Sequence, residues 1–124
     1  MSTSQAPLSQ RSSSIHQAIA GPLPGLVVTQ GIRAGTVYYL LSDIIAIGRT
    51  PDNDVCLDDR GIAPHHACIR RQCAGNAELF RIYDLGSDAG VRVNGAAVCL
   101  RHSLVPGDRI AIGGAVLEFF TPTR

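Results

Sequence analysis

Side chains able to do chemistry gather in the middle of the chain, where His65, His66, Cys68 and Cys73 lie close together. Imidazole nitrogens and thiolates are the usual ligands of zinc. One strand through this stretch would throw Cys68 and Cys73 to opposite faces, and the spacing matches no common zinc pattern. None of the four cysteines (56, 68, 73 and 99) forms a C-x-x-C pair, so free thiols behaving as small apolar residues are expected. The adjacent carboxylates Asp58 and Asp59 suit a turn cap better than a shared proton. Gly86-Ser87-Asp88-Ala89-Gly90 looks like a nucleophile elbow but has the wrong spacing. There is no Walker loop and no G-x-G-x-x-G, and no cysteine stands beside a clear activator. No enzyme, metal or cofactor is assigned; a metal-binding or Cys/His protein is kept as a minor alternative.

The charges narrow the partner classes. The chain has 124 residues, 11 basic and 10 acidic, for a net charge of +1. Every basic residue is Arg and Lys is absent, in a chain with plentiful Ala and Gly. Nucleic-acid backbones call for a concentrated basic patch, so no nucleic acid is expected. No run approaches the roughly 18 apolar residues of a membrane span, and the first residues do not read as an export signal. A cytoplasmic single-domain protein is expected, long enough for a core without staples.

The elements that must hold these residues are short and β-prone. Residues 1–25 are rich in Ser, Gln and Pro and are expected to be a disordered tail. From 26 to 121, strands separated by turns at spacings of roughly ten point to an all-β sandwich or barrel. They are expected at Leu26–Gln30, Thr36–Leu41, Ile44–Gly48, Asp54–Leu57, His66–Cys73, Glu78–Leu85, Val91–Val93, Ala96–Leu100, Arg109–Ile112 and Ala115–Thr121. In the His66 strand, Ala67 and Ile69 should face one way and His66, Cys68 and Arg70 the other. Asn94-Gly95 is a strong two-residue hairpin signal, because both central positions need positive φ. Arg33, Arg92 and Arg101 read as solvated positions.

Four segments, in order, carry a family resemblance. They are IGRTPDND (Ile47–Asp54), LDDRGIAPHHACI (Leu57–Ile69), YDLGSDAGVRVNG (Tyr83–Gly95) and LVPGDRIAIGGAVLEF (Leu104–Phe119). Together they resemble a forkhead-associated (FHA) domain across nearly the whole ordered chain. The resemblance implies a β-sandwich of about eleven short strands with binding loops at one end, and recognition of phosphothreonine peptides on partner proteins. It places Arg49 on the phosphate, which a guanidinium suits through two parallel charge-assisted hydrogen bonds. It makes His66 a holder of the loop. It gives Gly48, Asp84, Gly86, Gly90, Asn94 and Gly95 scaffold roles in turns and loop hydrogen bonds.

Three departures from the family pattern bear on phosphate binding. Ala63 stands where the family has Ser, Asp88 where it has Thr, and Ala89 where it has Asn. A hydrogen bond to a charged group contributes about 1.5–3 kcal/mol. Losing the Ser and Asn contacts would cost about 3–5 kcal/mol, some 10²- to 10³-fold in affinity. A carboxylate about 6 Å from a dianion adds roughly 2–3 kcal/mol of repulsion at an effective dielectric near 40. His65, once protonated, and Arg60 are the groups that could compensate.

Two readings therefore stand. The first is an FHA-type protein interaction module with lost or weakened phosphothreonine recognition. The second is a working phosphothreonine adaptor with a pocket rewired around Arg49, using Ser87, Gly90, His65 and Arg60. The partner in either case is a protein or peptide, phosphorylated by a Ser/Thr kinase in the second. Thr3, in a tail with six Ser in residues 2 to 14, is a further position where phosphate could be added and bound by a neighbouring copy.

Overall fold

The computed structural model describes residues 23–122, so the expectations about residues 1–22, including Thr3, lie outside the described residues. Among the described residues, eleven strands form two sheets. Gly25–Gln30 (β1), Val37–Tyr39 (β2), Arg92–Val93 (β7), Ala96–Ala97 (β8), Arg109–Ile112 (β10) and Ala115–Phe120 (β11) make one, in the order β2-β1-β11-β10-β7-β8. Ile44–Gly48 (β3), Val55–Cys56 (β4), Ala67–Ala74 (β5), Ala77–Asp84 (β6) and Arg101–Ser103 (β9) make the other, in the order β4-β3-β5-β6-β9. No helix long and apolar enough to cross a membrane occurs among the described residues.

Alternation along the strands builds the core. Leu26 and Val28 on β1 stand opposite Phe119 and Leu117 on β11, and all four are buried. Ile45 and Ile47 on β3, Ala67 and Ile69 on β5, and Phe80 and Ile82 on β6 line the facing sheet. The layers meet where the Phe80 and Phe119 rings lie 5.3 Å apart. Burial of such side chains contributes about 1.5–3 kcal/mol each, and this apolar contact between sheets is the main stabilising force.

Gly25, expected in the tail, begins β1, and two departures from the sequence expectations are larger than a shifted strand end. The Ala96–Leu100 strand is split: Ala96 and Ala97 pair with β7, then the chain crosses to the other sheet, where Arg101–Ser103 pairs with β6. Buried Val98, whose N–H bonds to Val91 O at 2.9 Å, anchors the crossing. His66 does not share the exposure of Arg70. It precedes β5 and is fully buried beneath the loops, while Cys68 is half-buried and Arg70 exposed.

The expected hairpin turn is present. Asn94 (φ 52°) and Gly95 (φ 87°) join β7 to β8 with Val93 opposite Ala96. Asn94 Nδ2 donates to Asp108 Oδ1 at 2.9 Å, and its Oδ1 accepts from the Arg109 N–H at 3.0 Å. Its side chain thereby ties the turn to β10.

β5 lies between β3 and β6 and pairs antiparallel with each. The chain therefore leaves β3, enters β5 and leaves β6 at one end of the sandwich. That connectivity alone gathers the loops of residues 49–54, 57–66 and 85–91.

Candidate functional site

The site begins where β3 ends. A Cβ on Gly48 would stand 2.1 Å from Pro64 O and 2.7 Å from Asn53 Nδ2. Only glycine lets the 57–66 loop cross so closely over the strand. Backbone bonds lock the crossing: Leu57 N to Gly48 O, Arg49 N to Ala63 O, and His66 N to Ile47 O, at 2.8, 3.0 and 2.9 Å.

Asn53, buried under the turn, completes the lock. Its amide donates to Pro64 O at 2.7 Å and to Thr50 O at 2.9 Å. In the sequence Asn53 is only one residue of the Ile47–Asp54 segment. Asn in a Pro-Asp-Asn turn looks the same whether or not another loop passes above it, so no local signal identifies this role. In the same turn the Thr50 hydroxyl donates to Asp52 and holds that exposed carboxyl below the usual range.

His66 joins the second loop to the third. Its Nδ1 accepts the Ala63 N–H at 3.0 Å, so Nε2 carries the proton and faces Gly90 O and Ser87 Oγ, each at 2.8 Å. The Ser87 hydroxyl reaches Asp84 Oδ1 at 3.0 Å and accepts the Gly90 N–H at 3.0 Å. Asp84 Oδ1 also accepts the Gly86 and Ser87 N–H groups at 3.1 and 3.2 Å. The Ser87 hydroxyl is thus engaged within the loop scaffold. Asp59 likewise caps a turn, accepting the Gly61 N–H at 2.8 Å.

These loops frame an open concavity of about 410 Å³. Arg49, Arg60 and Ala63 line one side; Ser87, Asp88 and Ala89 line the other. The Arg49 Nε donates to Ile62 O at 2.9 Å, which orients its guanidinium, and its two terminal nitrogens have no partner among the described residues. Arg60, Asp88 and Ala89 are exposed. Two guanidiniums against one carboxylate leave the lining net positive, with Ser87 its one hydroxyl side chain. Such a concavity can take an anionic or amphoteric group from a partner.

His65 does not line the concavity. Its Nδ1 is 3.3 Å from Asn53 Oδ1 and its Nε2 is 3.5 Å from Asp52 Oδ2. Gly90 contributes its carbonyl to His66, and Asn94 and Gly95 sit in the hairpin turn described above. Among the described residues, no three His, Cys, Asp or Glu side chains converge as a metal site. The four cysteines are free, and burial pushes the Cys68 thiol up.

Comparison with known proteins agrees with this architecture. The FHA domain family matches residues 45–113. The oxoglutarate dehydrogenase inhibitor of Corynebacterium jeikeium is 36% identical over 101 residues, covering 80% of this chain and 65% of that protein. The glycogen accumulation regulator GarA of Mycobacterium tuberculosis is 36% identical over 124 residues, covering 98% of this chain and 74% of that protein. An FHA domain solved in a study of phosphothreonine-dependent interactions superposes with a TM-score of 0.71 at 28% identity, covering 82% of this chain and 99% of that one. EmbR of Mycobacterium tuberculosis, solved with a low-affinity phosphopeptide, gives 0.70 at 27% identity, covering 94% of this chain and 30% of that one. With its two-sheet topology, its loop crossing over Gly48 and its histidine joining two loops, this chain belongs to the FHA family and is an FHA-type interaction module.

Proposed function

We propose that this FHA module binds a partner protein through its loop end with phosphothreonine recognition lost or weakened. The observation that carries the reading is the lining of the concavity. Arg49 and Arg60 supply positive charge, but Ala63 and Ala89 have no side-chain hydrogen-bonding group, and Asp88 puts a carboxylate on the same rim. Each absent bond to a charged phosphate forfeits about 1.5–3 kcal/mol. The regulator names of the relatives fit a non-enzymatic role in which binding itself is the output.

NMR titration with paired phosphothreonine and unphosphorylated peptides tests this reading. Wild type is expected to show no phosphate-dependent shifts at Gly48, Arg49 or Ser87, or only weak ones that do not saturate. The triple variant Ala63→Ser, Asp88→Thr, Ala89→Asn is expected to gain them, with affinity rising about 10²-fold or more. Saturating phosphate-dependent shifts in wild type, as tight as those of the triple variant and lost in Arg49→Ala, would overturn the reading in favour of a rewired phosphothreonine adaptor centred on Arg49 and Arg60.

A further inference from the structure

A second charged surface lies on the outer face of the β3–β5–β6–β9 sheet. Arg70 on β5 stands directly opposite Arg81 on β6, and Arg101 on β9 stands opposite Tyr83. Like charges directly opposite each other destabilise a sheet. Neither arginine of the facing pair meets a carboxylate among the described residues. Each leans to a diagonal neighbour instead: the Arg70 guanidinium lies 5.9 Å from the centre of the Tyr83 ring, and Arg81 Nη1 donates to Gln72 Oε1 at 2.7 Å. Between them is a concavity of about 370 Å³. The neighbouring Arg71 shows the contrast, since Asp43 Oδ1 and Glu78 Oε2 neutralise it at 3.1 and 3.5 Å.

We propose that this face docks an acidic, extended segment of a partner protein, its carboxylates spread over Arg70, Arg81 and Arg101. Charge complementarity selects carboxylates. The three guanidiniums belong to three adjacent strands about 4.8 Å apart, so a row of charges matches them better than one compact anion. Ile44, opposite Arg70, and Leu79, two residues before Arg81, are exposed beside the arginines and offer apolar footing. The face is distinct from the loop concavity, and its use does not depend on what that concavity binds.

The test is fluorescence anisotropy with a fluorescein-labelled peptide of about ten residues alternating Glu with Leu and Ser. Its Gln-for-Glu twin and a single-stranded oligonucleotide of similar length serve as comparisons. The acidic peptide is expected to bind, and to weaken at least about 5-fold between about 25 and 300 mM salt. The double variant Arg70→Gln, Arg81→Gln should weaken it at least about 5-fold with an unchanged thermal melt, whereas Arg49→Ala should retain it. Equal binding of the Gln peptide, preference for the oligonucleotide, retention in the double variant, or loss in Arg49→Ala would overturn the proposal. So would a dimer in sedimentation that the double variant dissolves, because the occupant would then be a second copy of the chain.

Discussion

Arg49 at the loop end and Arg70 with Arg81 on the sheet face are presented in opposite ways. Arg49 reaches its place through an irregular path. A loop crosses a glycine, an asparagine amide ties two turns, and a buried imidazole ties two loops. Arg70 and Arg81 need only the antiparallel ladder, which puts every second side chain outward. A site made of loops rests on a few irreplaceable side chains. A site made of strand positions rests on a backbone that tolerates exchange.

Four stability measurements would break or sharpen that contrast. His66→Ala leaves the Ala63 N–H and the Gly90 carbonyl without their partner and opens a void. It should cost about 3–4 kcal/mol, a fall of more than about 10 °C in Tm. Gly48→Ala drives a methyl group into the Pro64 carbonyl and should cost about 2–3 kcal/mol in urea unfolding. Asn53→Ala should cost about 2 kcal/mol by the same measurement, since Pro64 O loses its buried donor. Arg81→Gln should change stability by less than about 0.5 kcal/mol, towards stabilisation at low salt as the facing charge is removed. A loss above about 1.5 kcal/mol in Arg81→Gln would make the sheet face structurally constrained and erase the contrast.

Thiol labelling separates a half-buried outer-face position from exposed ones. Burial raises the pKa of Cys68, so at pH 8 less of it is the reactive thiolate than in an ordinary thiol. Cys73 and Cys99 are exposed. Peptide mapping after brief iodoacetamide treatment should show these two modified first. Labelling of Cys68 should catch up as pH rises or when the chain is unfolded.

Much of the fold was legible along the chain. Ile44–Gly48 and Arg109–Ile112 have the expected bounds, and every other expected strand differs at one or both ends. The Asn94-Gly95 turn was readable because positive φ at two successive residues is a local demand. The split after Ala97 was not. Ala96–Leu100 carries one continuous β-prone texture, and only the burial of Val98 between the sheets decides where the chain changes sheets. His66 was identified through the family resemblance, but its burial was missed because strand alternation does not extend to the residue before a strand.

What the sequence by itself determined was the alternating core, the turns and the identity of the residues in the loop motifs. These follow from local rules of period, φ preference and side-chain chemistry. Only the tertiary structure decided which groups meet. It engaged the Ser87 hydroxyl with Asp84 and His66, turned His65 to Asn53 and Asp52, and made Asn53 a tie between loops. It also set Arg70 against Arg81. Register between strands and the crossing of loops depend on burying one shared core, and no short stretch of sequence contains both partners of such a contact.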